Sequence, residues 1–195
     1  MSSDGGLLLS ADDPRCAFES VVGGKAASLA ALHSAGFDVP QFCAVSCGAF
    51  TELHATGSAE RLRVPLVAWL AAHSADARFA VRSSARGEDS AENSFAGLYT
   101  TVLDVVGIDA VLKAITTCWA SFDKTEARAY RQQRRSDASA MGVVVQRLVP
   151  AEWSGVAFSA NPVTLALGEG MINATPGLGE ALVKSRRREI GRAHV

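Results

Sequence analysis

Three segments of the sequence set a glycine-rich or hydroxyl-rich stretch beside a single cation, a combination suited to a phosphorylated ligand. The first is Val22-Gly23-Gly24-Lys25-Ala26-Ala27-Ser28-Leu29. Paired glycines let backbone approach a ligand closely, and the N-terminus of a following helix favours anions. Lys25 adds a point charge for a phosphate. The Gly-x-x-x-x-Gly-Lys-Ser/Thr spacing of a Walker A loop is absent. Taken alone, Gly-Gly-Lys more often marks a surface lysine in an ordinary helix-opening turn.

The second segment runs from Phe79-Ala80-Val81-Arg82-Ser83-Ser84-Ala85 through Glu88-Asp89 to Ser94-Phe95-Ala96-Gly97. A short apolar strand delivers Arg82 to its end, where a planar guanidinium can grip phosphate oxygens two at a time. Ser83 to Gly97 carries little bulk, which suits a loop that closes over phosphates. An Arg82–Glu88 or Arg82–Asp89 ion pair bracing a surface loop fits the same residues equally well. The third segment is Val143-Val144-Val145-Gln146-Arg147-Leu148-Val149, followed by Ser154-Gly155-Val156-Ala157-Phe158. An adenine needs apolar faces and a few polar groups at its edge. Gln146 offers both a donor and an acceptor. The commoner meaning is a buried strand with one satisfied glutamine. A fourth stretch, Ile172-Asn173-Ala174-Thr175-Pro176-Gly177-Leu178-Gly179-Glu180, passes from a strand through glycines towards a helix start. A lone Gly-x-Gly is weak evidence for a dinucleotide fold.

The elements that must carry these residues follow from periodicity. Helices are expected over Gly23–Ala35, Ser58–His73, Ile108–Phe122 and Lys124–Arg135. Strands are expected within Val39–Val45, at Phe79–Val81, over Gly97–Asp104 (with Leu98, Thr100, Val102 and Asp104 on one face), Met141–Val149, Ser154–Ser159 and Met171–Thr175. A helix-rich first part and a strand-rich later part make an α+β fold. The basic side of Lys124–Arg135 reads as a solvated face, and Arg135–Ser139 as a turn at a lobe boundary.

Composition narrows the function classes. Nineteen Lys and Arg against 20 Asp and Glu leave a formal charge of −1. That gives no field to hold nucleic acid or an anionic membrane, so neither is an expected partner. No apolar run approaches the roughly 20 residues that cross a bilayer, and Gly5–Ser10 lacks the basic flank of a secretory signal. The cytoplasm is the expected compartment. Cys16, Cys43, Cys47 and Cys118 form no Cys-x-x-Cys pair and no zinc-ligand spacing with histidine, so buried free thiols are expected. Glu189–Val195 looks like translated sequencing-adapter read-through. Residues 186–195 are accordingly set aside as a non-native tail.

The order of the motifs carries more than any one of them. Gly-Gly-Lys-Ala-Ala-Ser-Leu, Val-Arg-Ser-Ser-Ala…Glu-Asp…Ser-Phe-Ala-Gly, Val-Val-Gln-Arg-Leu-Val, Ser-Gly-Val-Ala-Phe-Ser-Ala-Asn-Pro and Asn-Ala…Gly-Leu-Gly-Glu follow one another over residues 20–185. This succession resembles the N-terminal ATP-binding domain shared by phosphoenolpyruvate synthase, pyruvate phosphate dikinase and rifampicin phosphotransferase, without choosing among them. The resemblance implies an ATP-grasp-like, two-lobed nucleotide-binding domain over residues 20–185, its second lobe incomplete, preceded by an extension at 1–19. It implies ATP and Mg²⁺ as cofactors. Lys25 and Arg82 match phosphate-contacting cations, Gly97 and Thr101 positions on the strand beside the phosphates, Gln146 the adenine edge, with Leu148 close by. Gly177–Glu180 matches a glycine loop of the second lobe.

In such enzymes the phosphoryl group of ATP passes to a histidine on a separate domain and on to an acceptor, pyruvate foremost. The grasp domain positions the phosphates and neutralises their charge. Here the Thr-x-x-x-Ser-His signature of the carrier histidine is absent, and His33, His54, His73 and His194 match nothing in the family. The acidic metal-binding segment would lie beyond the last residue. The 195 residues are thus expected to be poorly soluble, to bind ATP at best weakly and not to catalyse transfer themselves. The alternatives are a stand-alone nucleotide-binding module and a non-functional fragment.

Overall fold

The computed structural model describes residues 6–86, 89–90, 93–94, 99–124, 140–161, 164 and 166–179. The chain divides into two units, Met1–Leu148 and Val149–Val195. The first contains β1 (Leu8–Ser10), α1 (Glu19–Val22), α2 (Gly24–Ser34), β2 (Phe42–Val45), α3 (Cys47–Leu53), α4 (Arg63–Leu70), β3 (Phe79–Ala85), β4 (Asp89–Ser90), β5 (Asn93–Ser94), β6 (Thr101–Val105), α5 (Ile108–Phe122) and β7 (Met141–Arg147). Five strands make one sheet in the order β1-β2-β7-β3-β6, while β4 and β5 pair separately. Every pairing in the large sheet is antiparallel. Helices cover both faces, so the mixed helix-and-sheet reading holds.

Valines Val143, Val144 and Val145 show why β7 lies at the centre. All three are 0% exposed, which requires cover on both sides of the strand. Val143 and Val145 join Cys43, Val45, Phe79 and Val81 in a core with Phe50, Leu66, Ile115 and Trp119. Val144 turns the other way and packs with Leu9, Phe42 and Ala44 against Val22, Ala26 and Ala30. On α5, Val111, Leu112, Ile115, Cys118, Trp119 and Phe122 are buried, the i, i+3, i+4 spacing of one helical face. Each large apolar side chain removed from water in this way contributes about 1.5–3 kcal/mol.

Local chemistry sets several element ends. Ser46 caps α3 by accepting the amide of Ala49 at 3.1 Å, the role for which a serine at a helix start is suited. Asp109 sits in the first turn of α5, where a negative charge opposes the helix dipole, and takes an ion pair from Arg63 at 2.8 Å.

Two expectations change. The Ser58–His73 helix is shorter: a 3-10 turn at Glu60–Leu62 precedes α4, which ends at Leu70. Pro65 is accommodated in the first turn of α4, where its missing N–H costs least. The expected alternation over Gly97–Asp104 breaks, because the β3–β6 register shifts between Phe79 and Val81 and Asp104 adopts φ 62°. Val105 therefore goes inward opposite Phe79, and Asp104 pairs at the surface with Arg78. Within the expected N-terminal extension, Leu8–Ser10 pairs with β2 and Leu9 and Cys16 are core residues. Of the expected Lys124–Arg135 helix only Lys124 is described.

The second unit holds β8 (Trp153–Phe158) and β9 (Met171–Pro176), an antiparallel ribbon running from Trp153↔Pro176 to Phe158↔Met171. Gly177, at φ 75°, follows it. Its amide donates to the Glu152 carbonyl at 2.8 Å, and its carbonyl accepts from Ser154 Oγ at 2.6 Å. Glu180 and the expected tail lie outside the described residues. Among the described residues no helix is long and apolar enough to cross a membrane.

Candidate functional site

The register of the central strands gathers residues far apart in sequence onto one face. Arg82 lies opposite Val144 on β7 and opposite Thr101 on β6, while Ala80 lies opposite Gln146. Because alternate strand residues share a face, Arg82, Thr101 and Gln146 stand on the side that also carries Ala44 and Val144, the side covered in part by α1 and α2. Arg82 Nη1 reaches Gln146 Oε1 at 3.5 Å, and Gln146 Nε2 donates to the Pro40 carbonyl at 3.4 Å. Gln146 is therefore buried with both ends of its amide engaged, though by long contacts. Arg82 is half-buried and Thr101 is exposed.

Lys25 comes to the same face through α2. Gly23, at φ 80°, caps that helix without a side-chain hydrogen bond. The amide of Ala26 donates instead to Ser84 Oγ at 3.0 Å. Ser84 and Arg82 share a face of β3, so the first turn of α2, with Lys25 as its second residue, is anchored roughly 7 Å along the strand from Arg82. Leu148 follows β7 and extends the ladder, donating its amide to the Arg78 carbonyl at 2.8 Å. Gly97 and Glu88 lie outside the described residues, and Asp89 is described as strand only.

Along the sheet this face carries one cation, a hydroxyl and an amide, with Lys25 in the helix turn anchored beside them. Such a set suits an extended anion with a polar group attached. Among the described residues there is no group of three or more His, Cys, Asp and Glu placed to hold a metal. None of the four cysteines forms a disulfide and all four are buried, as expected. Burial pushes the Cys16 thiol up to about 11 and that of Cys43 well above its ordinary value, with the nearby Cys16 adding to the effect. They are inert core groups. The three described histidines hold structural contacts: His33 with Asp12 at 2.9 Å, His54 with Asp123 at 3.1 Å and His73 with the Trp69 carbonyl at 3.2 Å.

Ser84 is the residue of this face that the sequence reading left without a role. The doubled serine after Arg82 was its only visible trace, and its partner, the Ala26 amide, lies 58 positions away.

The family model for the pyruvate phosphate dikinase AMP/ATP-binding domain matches residues 67–189. The chain belongs to this family. The matched stretch carries Arg82, Thr101, Gln146 and Leu148, together with Gly97, and leaves out α2 and Lys25. Among the curated relatives of this dikinase-domain chain, phosphoenolpyruvate synthase of Pyrococcus furiosus is 51% identical over 106 residues, covering 53% of this chain and 13% of that enzyme. Rifampicin phosphotransferase of a Streptomyces species is 45% identical over 116 residues, covering 58% of this chain and 13% of its own. The rifampicin phosphotransferase of Bacillus subtilis is 46% identical over 107 residues, 54% of this chain and 12% of that protein. The chain thus spans about an eighth of the length of the relatives it matches.

Proposed function

We propose that this chain is the ATP-binding portion of a phosphotransferase of the phosphoenolpyruvate synthase and pyruvate phosphate dikinase type, with an ATP-grasp-like fold over residues 20–185. The observation that supports this best is the shared face of β3, β6 and β7. It brings Arg82, Thr101 and Gln146 together and holds the first turn of α2 beside them. In this reading Lys25 and Arg82 neutralise the phosphates, Gly97 and Thr101 border them, and Gln146 and Leu148 lie towards the base. The long contacts of the Gln146 amide weigh on its side, because hydrogen bonds of 3.4 and 3.5 Å are weak and cost little to exchange for a ligand.

ATP of this kind works with Mg²⁺, which would neutralise the β- and γ-phosphates. The described residues do not supply a protein ligand set for it, so no residue is assigned to the metal. The remaining steps of the proposal are passage of a phosphoryl group from ATP to a histidine on another domain, and from there to a small-molecule acceptor. Phosphoenolpyruvate synthases and rifampicin phosphotransferases align at similar identity. Pyruvate is the proposed acceptor, a drug hydroxyl the competing one, and the cytoplasm the proposed compartment.

Calorimetric titration of the folded chain with MgATP tests the first step. Saturable binding that inorganic tripolyphosphate displaces supports the reading. A folded chain that shows neither heat of binding nor a rise in melting temperature with ATP refutes it.

A further inference from the structure

We infer that Ser84 is a positioning residue that fixes the spacing between Lys25 and Arg82, so that the two cations reach different phosphates of one chain. This rests on the proposed placement of ATP. The joint is built from both sides of the sheet's register. Ser84 on β3 lies directly opposite Gly142 on β7, and the Val22–Gly23 turn between α1 and α2 sits on that pair. A Cβ on Gly23 would overlap the Ser84 carbonyl, and a Cβ on Gly142 would overlap the Val22 carbonyl. Backbone therefore meets backbone at two adjacent points, with no side chain between them.

One polar bond locks the arrangement. Ser84 is 0% exposed and its Oγ accepts the Ala26 amide at 3.0 Å. Ala26 is the residue after Lys25, and Ser84 is two residues from Arg82 on the same strand face. Ser84 is fully buried and its hydroxyl oxygen is taken up by the Ala26 amide. Its effect is exerted through the first turn of α2. An orphan amide at a helix start readily donates to a serine hydroxyl oxygen, but this serine comes from a strand 58 positions on. The bond thus ties the helix to the strand that carries the second cation.

If the bond only stabilises the fold, its loss will lower the melting temperature and leave the affinity of the folded protein unchanged. If it sets the spacing, Ser84→Ala will weaken ligands long enough to span both cations and spare those that are not. The experiment uses the full 195-residue chain as wild type, Ser84→Ala, Lys25→Ala, Arg82→Ala and Ser84→Ala/Lys25→Ala. Each is titrated with ATP, inorganic tripolyphosphate and orthophosphate, and its folding is checked by circular dichroism. Ser84→Cys, nearly isosteric but a weaker acceptor, supplies an intermediate step.

Lys25→Ala alone is expected to cost about ten- to hundredfold in ATP and tripolyphosphate affinity, the loss of one charge-assisted contact. Ser84→Ala is expected to cost about tenfold for the same two ligands, with orthophosphate within about twofold and Ser84→Cys in between. In the Ser84→Ala background, removing Lys25 should cost clearly less than it does in wild type. Full additivity of the two changes, or unchanged tripolyphosphate affinity in folded Ser84→Ala, overturns the positioning role. Unchanged ATP affinity in both Lys25→Ala and Arg82→Ala overturns the phosphate assignment itself, a result that Ser84→Ala alone cannot produce.

Discussion

Arg82→Ala separates a ligand contact from a structural one, because the structure assigns the side chain little to hold. Among the described residues its polar contact is the 3.5 Å approach to Gln146 Oε1, near the limit at which a hydrogen bond retains strength. Losing it should cost folding about 0.5 kcal/mol or less. The midpoint of thermal unfolding should then fall by about 2 °C at most. A phosphate held by the same guanidinium is a different matter. A charge-assisted contact carries about 1.5–3 kcal/mol, or roughly ten- to hundredfold in dissociation constant. Arg82→Lys keeps the charge but loses the planar fork, and is expected to recover only part of that loss. The assay is calorimetric titration of the folded variants with MgATP, with unfolding followed in parallel. A folded Arg82→Ala variant that binds ATP as wild type does removes Arg82 from the site. A fall of many degrees with unchanged affinity would instead make it a brace for the loop that follows β3.

The other predictions concern different parts of the molecule. Gln146→Leu is expected to weaken ATP about tenfold while leaving inorganic tripolyphosphate within about twofold, since a base edge without its polar partners is what costs affinity; equal losses for both ligands would point to damage of the sheet. Cys16, its thiol pushed up to about 11, and the still more shielded Cys43 should label with a thiol reagent at pH 8 only at the rate of unfolding. The same shift has a sign: the folded thiols hold their protons to higher pH than unfolded ones, so their contribution is complete below about pH 8.5 and is lost as the pH rises towards 11, which unfolding at pH 7, 9 and 10.5 measures. The 195 residues by themselves should bind ATP without transferring phosphate to pyruvate or to any added acceptor; turnover at or above one equivalent by the purified chain would refute this.

Much of the scaffold could be read from local pattern. Ile108–Phe122 emerges with the expected bounds because its apolar face repeats cleanly over four turns. Val143–Val145 announces a strand covered on both sides. The short elements carry no such signal. Cys47–Leu53 spans under two turns and is buried at Cys47, Ala49, Phe50 and Leu53, so neither period stands out. Leu8–Ser10 is a strand only because β2 offers it an edge. The break at Asp104 reverses the phase of β6, and a positive φ at an aspartate leaves no mark in alternation. For the site, residue types pointed to Arg82 and Gln146 separately. That the two touch depends on β7 entering between β2 and β3, a non-local fact that no window of the sequence contains.

The position of β7 also bears on how the protein is made. Its partners β2 and β3 are synthesised long before it, yet in the finished sheet they are separated by its full width. During translation the strands at Phe42–Val45 and Phe79–Ala85 must wait with unpaired edges until Met141–Arg147 leaves the ribosome. Pairings of such long range form slowly, and waiting edges invite the wrong neighbours. Gln146 lies near the end of the inserted strand, so it reaches Arg82 only as the sheet closes. The ability to take up a ligand on that face should therefore be one of the last properties the nascent chain acquires.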